Sequence, residues 1–122
     1  MRQRTIAAAA IVLLSLTGVA VNAGTASAAG WLGCNQGFSC YYDGDQGTGV
    51  LWVAPSDGCH LLGNVGMMDR ITSVWNRGRQ GARLDNWNSA KQKWESIDFF
   101  PPGAKRNVVD AADNKADRVC IA

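Results

Sequence analysis

The chain has 122 residues, 12 Lys and Arg against 10 Asp and Glu, and a formal charge of +2. That length holds one small domain. It contains no run of Lys and Arg, so it lacks the electrostatic footprint that nucleic acid or an anionic membrane surface would require.

In chain order, residues 1–28 read as a secretory signal peptide. Arg2 and Arg4 form the charged start, residues 6–16 are almost wholly apolar, and Ala26-Ser27-Ala28 is a small-residue cleavage site. Ser15, Thr17 and Asn22 interrupt a stretch that would otherwise approach the ~20 apolar residues of a spanning helix. Cleavage before Ala29 takes 28 of 122 residues, leaving a 94-residue domain, 29–122, with no membrane attachment. Arg2 and Arg4 leave with the signal, so 10 basic groups then face 10 acidic ones. The mature protein is expected to be secreted, extracellular and monomeric.

Cys34, Cys40, Cys59 and Cys120 all lie in the mature part. An even count in a small exported domain reads as disulfides. Zinc is the competing use, with His60 beside Cys59, but five residues separate Cys34 from Cys40 and no CxxC pair exists. Four cysteines allow three pairings, and their spacing does not choose among them.

Glycine-rich, aromatic-rich sequence with short apolar runs between turns predicts an all-β domain. The predicted strands are 38–42, 50–53, 60–62, 71–75, 82–86, 96–100 and 117–121. Between them, Asp43-Gly44-Asp45-Gln46-Gly47, Pro55-Ser56-Asp57-Gly58, Arg77-Gly78-Arg79-Gln80-Gly81 and Pro101-Pro102-Gly103 supply turn chemistry. Helix formers at 89–95 suggest one short helical turn. Val108, Val109, Ala112, Ala116 and Val119 fall near one helical face, but the aspartates among them limit any helix to a short or 3₁₀ turn.

A weak internal repeat runs through this pattern. Met68-Asp69-Arg70-Ile71-Thr72-Ser73-Val74 aligns with Asp113-Asn114-Lys115-Ala116-Asp117-Arg118-Val119, 45 residues on, and Tyr42-Asp43-Gly44-Asp45 aligns with Leu84-Asp85-Asn86-Trp87. Tyr42 ahead of Gly44, Gly47 and Gly49 can lay its ring over a folded hairpin, and the Ser73 hydroxyl can cap that turn. The second unit has Leu84, Lys91 and Arg118 at the corresponding places and is expected to be less regular.

Tyr42 followed at Gly49, with Asp69-Arg70-Ile71-Thr72-Ser73, resembles the signature of βγ-crystallin Greek keys. Three pieces resemble, more specifically, the small secreted peptidase-inhibitor family typified by the streptomycete metalloproteinase inhibitor: Cys34 with Phe38-Ser39-Cys40-Tyr41-Tyr42-Asp43, Asp69-Arg70-Ile71-Thr72-Ser73-Val74-Trp75-Asn76, and Ala112-Asp113-Asn114-Lys115-Ala116-Asp117. The resemblance implies a βγ-crystallin-like sandwich of two Greek keys. It also implies that the last strand of each motif crosses to the other motif's sheet. That would lay 117–121 beside Cys59-His60-Leu61-Leu62 and favour Cys59–Cys120, leaving Cys34–Cys40 as a clip at the entry to the first strand.

The functional expectation is a binding inhibitor of an extracellular peptidase, needing no cofactor. No Ser/His/Asp spacing, HExxH motif or phosphate-cradling loop appears, which argues against an enzyme. The aspartates Asp43/Asp45 and Asp113/Asp117 are expected to serve turns. A βγ-crystallin-like Ca²⁺ module is a second reading, through Asp69, Thr72 and Ser73 in one loop and Asp113, Asn114 and Asp117 in the other. Against it, Met68 is a poor ligand for a hard cation and Arg118 repels one. A glycan-binding or antimicrobial module is a third, through Trp31, Trp87 and Trp94. The inhibitory contact is placed at Gly58, Cys59, His60, Leu61 and Leu62. There the cysteine anchors the chain and a leucine can fill the apolar pocket of a thermolysin-type metallopeptidase. The alternative reading is that both leucines are ordinary core of the third strand. Arg77 and Arg79 offer a rival loop suited to a trypsin-like enzyme.

Overall fold

The computed structural model of the protein describes residues 30–122. The signal-peptide reading of residues 1–28 lies outside the described residues. Among the described residues, eight strands form two antiparallel four-stranded sheets: β1 (Ser39–Tyr42), β2 (Leu51–Val53), β3 (Gly58–Leu61), β4 (Ser73–Asn76), β5 (Ala82–Asn88), β6 (Lys93–Phe100), β7 (Lys105–Asn107) and β8 (Arg118–Ile121). One sheet runs β2-β1-β4-β7 and the other β3-β8-β5-β6.

Exchanging β1–β4 with β5–β8 converts one strand order into the other, so the molecule is two Greek keys related by a pseudo-twofold. Each motif gives its third strand to the other's sheet: β3 pairs with β8, and β7 with β4. The crossing strand is thus the third of each motif, not the fourth as the resemblance implied. The fourth is the receiving strand, because the long loop before it returns the chain to its own sheet. The β3–β8 neighbourhood expected for the cysteines still holds, with Cys59 directly opposite Cys120. Disulfides join Cys34 to Cys40 and Cys59 to Cys120.

Tyr41, Leu62, Met67, Ile71, Val74, Leu84, Phe100, Val108 and Val119 fill the space between the sheets. β1 alternates as a strand must. Tyr41 points into this core, where its hydroxyl donates to the Ser39 Oγ at 2.8 Å, while Cys40 and Tyr42 point to the other side. That outer side is also buried, because the segment carrying Trp31 and Cys34 folds over it. Trp31 meets Tyr42 edge-on with ring centroids 5.6 Å apart, and the Tyr42 hydroxyl donates to the Leu32 carbonyl. Strand β1 is therefore covered on both faces.

The β1–β2 loop is a folded hairpin, and Ser73 closes it. Its Oγ donates to the Gly44 carbonyl at 2.7 Å and accepts the Gly47 amide at 2.8 Å. Asp43 Oδ1 accepts the Val50 amide, and Asp43 Oδ2 takes the Arg70 guanidinium at 2.6 Å. Gly47, at φ +70°, has the Trp31 ring against the place a Cβ would occupy. The glycine thus makes room for Trp31, whereas the sequence suggested Tyr42.

In the second motif the register pairs Asp85 with Arg118 as it pairs Tyr42 with Ser73 in the first. The counterpart of Tyr42 is therefore Asp85, one residue beyond the Leu84 expected from alignment. Separately, the β5–β6 pairing carries a bulge opposite Leu84/Asp85, with Ile97 of β6 the extra residue. No folded hairpin forms here. Strands β5 and β6 run straight through Trp87–Trp94 to Asn88–Lys93, and residues 89–92 make the turn, so the expected helical turn at 89–95 is absent. The hairpin register claims Lys93, Trp94 and Glu95 for β6, overriding their helix propensity. A 3₁₀ turn does form at Asp110–Ala112.

Asp85 is almost wholly buried and receives Arg83 through both carboxylate oxygens, at 2.7 and 3.0 Å, and Arg118 Nε at 2.8 Å. Burial pushes its carboxyl up, but hydrogen bonds from Arg83 and Arg118 and their charge outweigh this and hold it below the ordinary range. Asp98 behaves alike: burial is outweighed by Arg106 and by the Val109 and Phe99 amides. Because both carboxyls titrate lower folded than unfolded, their stabilisation is complete above the usual Asp pKa of about 4. It is lost as the pH falls through the folded values. Melting temperature is expected to fall steeply below about pH 4, and Asp85→Asn should weaken that dependence. A melting point unchanged between neutral pH and pH 2 would contradict this assignment.

Three further stability outcomes follow from the fold. Ser73→Ala strands the buried Gly47 amide and should cost about 1–3 kcal/mol, read by denaturant unfolding. Replacing Cys59 and Cys120 by serine opens a loop of sequence separation 61 and should cost about 4 kcal/mol. Opening the Cys34–Cys40 loop, of separation 6, should cost about 2 kcal/mol.

Candidate functional site

Strand β3 lies at the edge of its sheet, with β8 on one side and, among the described residues, no strand on the other. Gly58, Cys59, His60 and Leu61 are thus presented as an extended segment, held by four register pairs to Ile121, Cys120, Val119 and Arg118 and by the Cys59–Cys120 bond. His60 Nε2 donates to the Ser56 carbonyl at 2.6 Å, and its ring meets Trp52 edge-on. The segment is a pinned edge strand rather than a projecting loop.

The two leucines part company at the end of this strand. At Leu62 the chain enters the 3₁₀ turn Leu62–Val65, and the Leu62 amide donates to the Asp117 carbonyl at 2.9 Å. That turn drops Leu62 into the core at 0% exposure and leaves Leu61 50% exposed. Val65, Met68 and Trp87 are exposed apolar side chains too. Leu61 stands between two hollows. One, of about 550 Å³, is lined with Met68, Trp87 and Trp94. The other, of about 320 Å³, is lined with Trp52, Pro55, His60 and Val65. Asn64 borders both.

The wall of the larger hollow is built from the second motif's charge network. Trp87 and Trp94 are directly opposite across β5 and β6, with ring centroids 5.2 Å apart. Arg118, held by Asp85, lies 4.0 Å over the Trp94 ring, a contact of the cation–π kind. Asp117 Oδ2 accepts the Trp87 amide. One face of Trp94 is thus occupied, and Trp31 is packed among Tyr42, Trp75 and Lys105. Of the three tryptophans considered as a sugar platform, Trp87 alone is exposed. Met68 and Val65 were not anticipated as part of this face. The signal for them was the apolar side chains just after a strand-ending leucine.

The loops considered for Ca²⁺ meet on the pseudo-twofold. Asp69 and Asn114, 45 residues apart, adopt φ of 57° and 58°. The Asp69 amide donates to the Ala116 carbonyl and the Asn114 amide to that of Ile71, residues that the same offset relates. Thr72 Oγ1 donates to Asn114 Oδ1 at 3.1 Å, and Ser73 is spent on the hairpin. Burial, then the neighbouring Asp117 carboxylate and its hydrogen bond, raise the Asp69 carboxyl above the usual range. Asp113 sits in the turn after Asp110–Ala112, its amide donating to the Asp110 carbonyl. Among the described residues, no three His, Cys, Asp or Glu side chains converge at metal-binding distance.

In the rival loop Arg77 is tied down, donating to the Cys34 carbonyl and to Gln36 Oε1, with its guanidinium 4.6 Å from the Trp75 ring. Arg79 stays exposed.

Comparison with solved structures shows the same fold in βγ-crystallin domains. A clostrillin double mutant in complex with nickel superposes with a TM-score of 0.56 at 14% identity, over 69% of this chain and 95% of that one. A βγ-crystallin domain from Clostridium beijerinckii gives 0.53 at 14% identity, with the same coverage. No curated protein matches the chain. The family model for peptidase inhibitor family I36 matches residues 27–90, which take in the whole first motif and β5. The chain therefore belongs to peptidase inhibitor family I36, on a βγ-crystallin fold.

Proposed function

We propose that this protein is exported and blocks an extracellular metallopeptidase by binding, using the β3 edge with Leu61 as its central contact. Membership of the inhibitor family supports inhibition in general. The observation that supports the site is the split between Leu61, half exposed on a disulfide-anchored edge strand, and Leu62, wholly buried. An extended edge strand can pair with another chain through its free backbone groups. Pinning it in that shape beforehand removes ordering entropy that docking would otherwise cost. Leu61 fills an apolar pocket of the peptidase, while Met68, Val65 and Trp87 extend the contact on either side. No bond is made or broken, and no cofactor takes part.

Thermolysin inhibition separates the two leucines. Leu61→Ala should weaken inhibition by roughly 30-fold or more, as for a central interface anchor, with little change in melting. Leu62→Ala should lower stability by about 2–5 kcal/mol, while the folded fraction inhibits normally. A Leu61→Ala protein that inhibits as well as the parent chain rules out the β3 edge.

A further inference from the structure

Arg79 is the one arginine among the described residues without a bonding or stacking partner. Arg70 pairs with Asp43, Arg83 and Arg118 with Asp85, and Arg106 with Asp98. Arg77 is bonded to Cys34 and Gln36. Arg79 is exposed at the middle of the loop joining the two Greek keys.

The loop beneath it is held by hydrogen bonds at both ends and from below. Asn76, fully buried, donates from Nδ2 to the Gln80 carbonyl at 2.8 Å and to the Phe100 carbonyl at 2.9 Å. Its Oδ1 accepts the Gly78 amide at 2.9 Å. One side chain thus fixes the backbone on both sides of Arg79. The Gly37 amide donates to the Arg77 carbonyl and the Arg77 amide to that of Phe38, which ties the loop to the segment clipped by Cys34–Cys40. At the far end the Ala122 amide donates to the Gly81 carbonyl. The loop borders an open cleft of about 430 Å³ lined also by Gln36 and Asp57, and Asp57 forms no ion pair with Arg79.

We infer that residues 77–81 form a second peptidase-docking element, presenting Arg79 to a trypsin-like serine peptidase, one whose acidic specificity pocket takes a basic side chain. A free guanidinium on a rigid backbone loses little conformational entropy on docking, and a buried carboxylate in the partner supplies the matching charge. This element is separate from the β3 contact. Register places Gly58 and Ala82 opposite Ile121, and Leu61 and Asp85 opposite Arg118, so the Arg79 loop and Leu61 lie toward opposite ends of β8. The inference does not rest on the β3 reading. Binding is reversible and leaves the Arg79–Gln80 peptide bond intact.

The test titrates trypsin and thermolysin separately with the purified protein and its Arg79→Ala and Arg79→Lys variants. Trypsin inhibition is expected for the parent chain, weakened by roughly 30-fold or more in Arg79→Ala and largely retained in Arg79→Lys. Thermolysin inhibition and melting should be the same in all three, because the Arg79 side chain makes no contact that the fold needs. The inference is overturned if the parent chain leaves trypsin uninhibited, if Arg79→Ala inhibits as well as the parent, or if trypsin simply cleaves after Arg79 and turns over. Loss of thermolysin inhibition alone would count against the β3 site and leave this one standing.

Discussion

Each Greek key places its third strand in the other key's sheet, and hydrogen bonds that repeat across the pseudo-twofold lock the exchange. The Leu62 amide reaches the Asp117 carbonyl as the Val108 amide reaches that of Thr72. The Asp69 amide reaches Ala116 as the Asn114 amide reaches Ile71. Neither motif keeps a complete four-stranded sheet or a closed core without its partner. Leu62 and Met67 from the first motif pack with Val108 and Val119 from the second in one cluster. Cys59–Cys120 adds a covalent tie across the same exchange. Folding of the two keys should accordingly be one cooperative event, as is usual for a domain of this size.

The two motifs solve the same local problem with different chemistry. Where β1 meets β4, a buried hydroxyl, Ser73, satisfies both an amide and a carbonyl of a folded loop. Where β5 meets β8, the corresponding position is Arg118, too long and charged for that task. It extends instead to the buried Asp85 and over Trp94. A buried carboxylate is tolerated because two guanidiniums satisfy it, whereas removing both would leave an uncompensated buried charge. Freed from the folded-loop geometry, β5 and β6 continue as a long hairpin, and its end carries Trp87 out beside Leu61. The irregularity of the second key is what furnishes the wall of the candidate site.

Most of the strands were legible in the sequence because apolar alternation and turn residues report burial directly. The Ser73 cap was legible because a hydroxyl at that place has a single economical use. Strand β7 was not, since Lys105-Arg106-Asn107 carries no apolar signal; it exists because β4 needs a partner on that side. Residues 89–95 misled because helix propensity is a local quantity, and a register set by Trp87 opposite Trp94 outweighed it. The alignment of Tyr42 with Leu84 was one residue out because the correspondence is set by the register of β5 against β8, which pairs Asp85 with Arg118 and which no count of spacing detects. At the candidate site, the segment Gly58 to Leu62 was singled out by its cysteine and leucines. Which leucine faces outward was not, because a 3₁₀ turn beginning at Leu62 decides it.

The position of the candidate site follows from the strand exchange itself. A third strand moved into the neighbouring sheet can join only at its border, so β3 must be an edge. Edges invite pairing with other chains, and proteins usually shorten, charge or cover them. Here β3 has four residues, and a disulfide rather than charge restrains it. Its side chains from Gly58 to Leu61 include no Lys, Arg, Asp or Glu. The opposite border of the sheet, β6, carries Lys93, Glu95 and Asp98, and the corresponding exchanged strand, β7, carries Lys105 and Arg106. The two exchanged strands are thus equivalent by symmetry and opposite in surface chemistry. The first is an uncharged, pre-shaped edge flanked by apolar hollows, and the second is a charged one. That asymmetry is the physical reason for placing the docking function on β3.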